Sequence, residues 1–236
     1  MIKRLKTFII PTFLIIVSIL TFQKTACAHT NQVYSKKSCN KIAYITIDDG
    51  PSKHTDELLN ILNKYNVKAT FFMIDRNMRL YPQQVRNIID CGHSAGLHSV
   101  SHDINKLYEE DTSAKEEFDA NNKTFREITG KDTKLVRLPY GSKPYMPEKS
   151  YETLVEANYK IWDWTIDTQD WKVTSDKIID NIKVNSKNKE NIVILMHEKK
   201  QTVQSLEAVL KYLIDEGYEF LPIRQDEAPR NYWVVG

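Results

Sequence analysis

The chain has 236 residues, 41% apolar and 27% charged, with few glycines and prolines. That composition fits one folded domain with one site and excludes a disordered or fibrous chain. A formal charge of only +2, with no basic stripe, argues against a nucleic-acid binder.

At the amino terminus Lys3, Arg4 and Lys6 precede an uncharged apolar run, Thr7–Phe22, followed by the small residues Ala26, Cys27 and Ala28. This is the order of an export signal. The run contains Pro11 and is shorter than the roughly 20 apolar residues of a spanning helix. Residues 1–28 are therefore read as a signal peptide cut after Ala28, or as a retained N-terminal anchor. Either reading predicts an exported protein, secreted or held at the cell wall or membrane. Loss of this segment removes four basic residues and no acid, turning the formal charge from +2 to −2. Residues 29–40 form a short polar lead-in, and 41–236 form the main domain. Cys39 and Cys91 can pair outside a reducing cytosol or remain thiols, because sequence does not show whether their Cβ atoms meet.

From Lys41 onward β-branched and aromatic runs alternate with amphipathic stretches, the pattern of repeated β-α units. Strands are predicted at 42–47, 69–74, 94–98, 135–138, 160–165, 192–195 and 219–223. Helices are predicted at 55–65, 82–91, 112–129, 148–157, 175–184 and 202–216, several after a Ser or Thr suited to an N-cap, two ending near Gly130 or Gly217. Tyr232, Trp233, Val234 and Val235 suggest that the tail packs back on the domain.

Polar motifs recur just beyond strand ends, where α/β proteins collect functional groups. Asp48 and Asp49 precede Gly50-Pro51; the pair is either an Asx-type turn or a cation ligand beside a proton acceptor. His98 and His102 are four residues apart. An extended segment would separate them by about 13 Å, whereas a helical turn would bring them to about 6 Å, close enough to share a metal with Asp49. Otherwise they are ordinary hydrogen-bonded histidines. Arg137, before Leu138-Pro139-Tyr140-Gly141, is either a surface charge or the partner that orients a carboxylate. Asp170-Trp171 closes an acidic loop. His197 ends the apolar run that includes Leu195; a lone histidine there is usually structural, but a carboxylate such as Asp170 nearby would raise its pKa and suit it to donate protons. His93 reads as structural.

In identity, order and spacing these five segments together resemble the NodB-type polysaccharide deacetylases, carbohydrate esterase family 4, over about Ile42 to Ile223. The resemblance implies an α/β fold, a distorted, incomplete (β/α) barrel, with 41–236 as the catalytic domain. It further implies one divalent metal, zinc with cobalt or manganese as substitutes, held by Asp49, His98 and His102. By the same resemblance Asp48 is the catalytic base, Arg137 positions it, His197 is the general acid and Asp170 tunes that acid. The Tyr140 N–H would help hold the oxyanion, while Trp171 and Leu195 would wall the acetyl pocket. The expected reaction is hydrolysis of an N-acetyl group on an amino sugar, releasing acetate and a free amine, by a monomer needing no protein partner. Gly96–His102 and Arg137–Tyr145 are most similar to Bacillus-type peptidoglycan deacetylases, which favours peptidoglycan over chitin oligomers or an exopolysaccharide. A non-catalytic glycan-binding relative would lack one of these groups, and none is missing. A non-haem iron oxygenase shares the two-histidine, one-carboxylate set but usually sits on antiparallel sheets and gives Asp48 and His197 no task.

Overall fold

A computed structural model describes residues 41–234. The signal or anchor (1–28), the lead-in with Cys39, and Val235 lie outside the described residues. Cys91 is disulfide-bonded.

The elements run β1 (Lys41–Gly50), α1 (Thr55–Lys64), β2 (Thr70–Met73), α2 (Asp75–Leu80), α3 (Pro82–Asp90), β3 (Ser94–Leu97), α4 (Ile104–Leu107) and α5 (Ser113–Thr129). They continue with β4 (Leu135–Val136), α6 (Glu148–Glu156), β5 (Lys160–Ile161), β6 (Ile166–Asp167), α7 (Ser175–Asn185), β7 (Asn191–His197), α8 (Lys200–Asp215) and β8 (Tyr218–Phe220). Every strand pair is parallel, in the order β5-β4-β3-β2-β1-β7-β6, with β8 on the first three residues of β1. Parallel neighbours need long crossovers, which the helices supply. The result is a curled half-barrel whose path ends at β5 and β6.

Side chains alternate across each strand, and this sorts the core into two clusters. Ala43, Ile45 and Ile47 of β1 and Ile192, Ile194 and Met196 of β7 join the large cluster that includes Leu58, Phe118 and Leu210 of the helices. The residues between them, Tyr44 and Val193, join Phe72, Leu135, Trp162 and Ile223 in a smaller cluster. Two residues further along the same faces come Thr46 and Asp48 from β1, Leu195 and His197 from β7, and Arg137 just past β4. The period of two thus stacks polar groups on top of the smaller apolar cluster, at the carboxyl ends of the strands.

Several expectations need correction. The predicted strand 160–165 is strand only at 160–161, because residues 162–165 cross from one end of the sheet path to β6 at the other. The short helices α2 and α4 were not foreseen. Thr112 and Thr174 occupy N-cap positions but make no side-chain cap hydrogen bond; Asp103, before α4, does, accepting from the Asn105 N–H at 2.9 Å. Gly130 closes α5 in the left-handed conformation, as expected. Among the described residues no helix is long and apolar enough to cross a membrane.

Candidate active site

The two adjacent aspartates separate because the chain turns between them. Asp48 is the last residue of the β1–β7 register, opposite His197, and is 2% exposed. Asp49 has φ +65°, which breaks the pleat and sends its side chain elsewhere. Its backbone carbonyl accepts from Asn77 Nδ2 at 2.7 Å. Among the described residues eight non-glycine residues have positive φ. Asn66, Asn158 and Asn188 are asparagines, which tolerate that region. The other five, Asp49, Ser99, His102, Tyr140 and Gln169, all lie in the motif loops, so backbone strain is concentrated at the site.

The His98–His102 segment is not the helical turn the spacing suggests. Left-handed residues Ser99 and His102 fold it back instead, and the two imidazole centroids lie 5.0 Å apart. Helix α5 holds this loop with one polar face. Glu117 Oε2 accepts from the N–H groups of Val100 (2.9 Å) and Ser101 (2.8 Å), and Asn121 Oδ1 accepts from the His98 N–H at 3.1 Å. One turn on, Thr124 bonds Asp75, whose own N–H donates to the Ser99 carbonyl.

Asp49 Oδ1 lies 3.3 Å from His102 Nε2 and 3.5 Å from His98 Nε2. Asp49, His98 and His102 each offer one ligand atom within 4.8 Å of the others. Asp49 Oδ1 is buried without a hydrogen-bond partner, an uncompensated cost unless a cation is there. Burial opposes ionisation of Asp49, but the neighbouring imidazoles outweigh it and hold the carboxyl well below its usual range. His98 is fully enclosed, and burial lowers its pKa despite the nearby carboxylates. Its Nδ1–H donates to the Arg137 carbonyl at 2.8 Å, which leaves the Nε2 lone pair facing Asp49. A buried carboxylate oxygen and two imidazole nitrogens fit a divalent cation.

Arg137 is wholly buried. Its Nη1 reaches Asp48 Oδ1 at 3.0 Å and Thr46 Oγ1 at 2.5 Å, its Nε donates to the Trp162 carbonyl at 2.8 Å, and the guanidinium lies over the Phe72 ring. Asp48 Oδ2 is 3.8 Å from His98 Nε2, so this carboxylate sits between the arginine and the candidate metal ligands. Opposite, His197 Nδ1–H donates to Asp170 Oδ1 at 2.7 Å and presents Nε2 to the site. Burial would lower the His197 pKa, but the hydrogen bond and charge of Asp170, with Asp48 and Asp49 nearby, raise it above the ordinary value. Asp170 is fully buried and also accepts from Thr202 Oγ1 at 2.5 Å.

Tyr140 is 57% exposed, with φ +65°, and its ring packs edge-on against His102. Trp171, also 57% exposed, lies beside Asp170, while Leu195 is buried two residues before His197. His93 is structural: buried, it accepts the Ala69 N–H on Nδ1, and burial pushes its pKa down to about 3.

A family model for polysaccharide deacetylase matches residues 35–162. The chain belongs to the polysaccharide deacetylase family. A peptidoglycan-N-acetylglucosamine deacetylase of Bacillus cereus is 39% identical over 202 residues, 82% of this chain and 73% of that protein. The Listeria monocytogenes peptidoglycan-N-acetylglucosamine deacetylase PgdA is 33% identical over 80% of this chain, which matches only 39% of that longer protein. The crystal structure of a polysaccharide deacetylase from Bacillus cereus superposes with TM-score 0.78 at 39% identity, covering 82% of this chain and 97% of that one. The chain is a deacetylase of the NodB type, an amide hydrolase acting on N-acetylated glycan, in a family that is metal-dependent.

Several supporting residues carried no readable signal. Thr46, Asn77, Glu117, Asn121 and Asp163 look like ordinary polar positions in sequence. The one available clue was Glu117-Asn121-Thr124, polar at helical spacing beside the apolar Ala114, Phe118 and Phe125 of the same helix.

Proposed function

We propose that this protein removes the N-acetyl group from N-acetylglucosamine of peptidoglycan, using Asp49, His98 and His102 to hold a divalent cation, zinc by donor type. The observation that carries the proposal is the convergence of those three ligand atoms beside Asp48, with His197 on the neighbouring strand. A cation held there supplies Lewis acidity, polarising the amide carbonyl and making water easier to ionise.

The chain's own groups handle the protons. Asp48, fixed by Arg137, takes a proton from the attacking water. The Tyr140 N–H, which donates to no other described residue, turns toward the oxygen that gains charge as the carbonyl becomes tetrahedral. His197, held by Asp170, gives a proton to the nitrogen as the carbon–nitrogen bond breaks. An amine is a poor leaving group until protonated, so the elevated His197 pKa suits this task. Acetate and the free amino sugar leave. Trp171 and Leu195 border the space for the acetyl methyl. An exported protein would meet this substrate at the cell wall, and the Lys3–Ala28 segment supports export.

Acetate release by purified residues 29–236, assayed on peptidoglycan, chitin oligosaccharides and poly-N-acetylglucosamine with a series of divalent metals, tests the reading. Peptidoglycan is expected to be the best substrate; a clear preference for another polymer overturns that assignment. Asp48→Asn is expected to retain metal and lose about a hundredfold or more of turnover. An unchanged rate removes Asp48 as the base.

A further inference from the structure

The last described residues have no regular secondary structure, yet they reach one loop of the site, directly through Trp233 and indirectly through Asp163. Asp163, only 2% exposed, lies between the two ends of the sheet path and accepts three hydrogen bonds. Two come from Ser142, from its N–H at 2.9 Å and from its hydroxyl; the third is the Tyr232 N–H at 2.8 Å. Trp233 Nε1–H donates to the remaining polar group of Ser142, its carbonyl, at 3.0 Å. Gly141, φ +91°, is closed in by rings: a Cβ there would come within 3.2 Å of Trp164 and 3.4 Å of Tyr232. Tyr232 OH also bonds the Trp164 carbonyl at 3.0 Å, and Asn231 Nδ2 reaches the Ile161 carbonyl at 3.3 Å. The Trp233 ring stacks on Tyr151 of α6 at 4.9 Å.

These contacts fall on the residues directly after Tyr140, whose left-handed backbone needs outside support to persist. The same 162–163 segment offers its carbonyls to Arg137, at 2.8 and 3.3 Å. Arg137 and the tail therefore grip the same segment, the tail through the Arg230 carbonyl and the Tyr232 N–H. We propose that Asn231–Trp233 form a clasp that positions the Tyr140 N–H for the tetrahedral oxygen, making Trp233 and Asp163 positioning residues of the reaction. This rests on the Tyr140 role proposed above.

Trp233→Phe is the sharpest test, because it keeps an aromatic ring to stack on Tyr151 while removing the N–H to Ser142. Trp233→Ala and a chain ending at Arg230 remove more. All are assayed for acetate release from peptidoglycan, alongside bound-metal analysis, thermal melting and Asp48→Asn. Displacing a catalytic group by an ångström can cost on the order of a hundredfold. A partial loosening is expected to lower kcat by about tenfold in Trp233→Ala and a few-fold in Trp233→Phe, with KM and metal content unchanged. Wild-type kcat in Trp233→Phe and Trp233→Ala, both folded at the assay temperature, overturns the clasp, as does a loss confined to KM. If the truncated chain does not fold, the point variants decide. An active Asp48→Asn sinks the underlying reading of the site; an inactive Asp48→Asn with unimpaired Trp233 variants sinks the clasp alone.

Discussion

Asp170 holds His197 twice: one carboxylate oxygen accepts the backbone N–H and the other the ring Nδ1–H, each at 2.7 Å. The ring therefore cannot rotate without breaking a bond to a buried charge, and its proton affinity is tied to one neighbour.

Removing that charge should shift the pH profile. As the proposed acid His197 must be protonated, so activity is expected to fall as pH rises through its elevated pKa. Asp170→Asn lowers that pKa, and the alkaline limb of the kcat profile should move to lower pH, with neutral-pH turnover down by about tenfold or more. The elevation also adds stability below pH ~6.5, the imidazole's unfolded value, that fades as pH rises through the folded pKa. Melting temperatures of Asp170→Asn and parent should therefore differ most in acid. A profile that does not move would separate Asp170 from the acid.

Metal removal should abolish activity without unfolding the chain, because the apolar core of the half-barrel does not depend on the ligands. Dialysis against a chelator should leave the circular dichroism unchanged and acetate release near background, restored by added zinc. His98→Ala should bind about tenfold less metal or weaker, and no added cation should return full rate.

Support residues that touch no ligand atom should still matter. Glu117→Ala and Asn121→Ala free the N–H groups of the His98–Ser101 loop. Metal affinity, measured by competition with a chromogenic chelator, should fall about 10- to 100-fold. Unaltered affinity in both would mean that the loop holds its own shape.

Gly50 stands where a methyl group would lie 2.2 Å from Glu198 Oε1. Glu198 is buried and tied to Ser52 Oγ (2.6 Å) and Thr55 Oγ1 (2.7 Å), so it has little room to yield. Gly50→Ala should cost about 1–3 kcal/mol in urea unfolding. It should also reduce turnover by disturbing Asp48 and Asp49. A melting curve matching the parent would show that Glu198 can move aside.

The strand ends and their motifs were legible in the sequence because apolar runs such as 192–196 stop at polar residues, here His197, and those stops mark the carboxyl edge of the sheet. The helix positions were legible for the same reason of periodicity. The turn at His98–His102 was not. A four-residue spacing suggests a helix, and nothing in Ser99-Val100-Ser101 announces left-handed φ at Ser99 and His102. The end of β5 at Ile161 was equally hidden, since Trp162 and Trp164 continue the aromatic pattern of a strand through the crossing to β6. Asp163 between them looks like a solvent residue until Ser142 and Tyr232 are brought to it by contacts 21 and 69 positions away.

Asp48 and His197 face each other across adjacent parallel strands, in a register that extends unbroken from Ile42 and Asn191. The distance between the proposed proton taker and proton giver is thus metered by the sheet ladder, while the loops carry the candidate metal ligands Asp49, His98 and His102. Sliding one strand by a single residue would turn one of the pair out of the cleft altogether. Changes to loops that carry none of Asp49, His98, His102, Tyr140 and Asp170 should therefore leave the Asp48–His197 separation as it is.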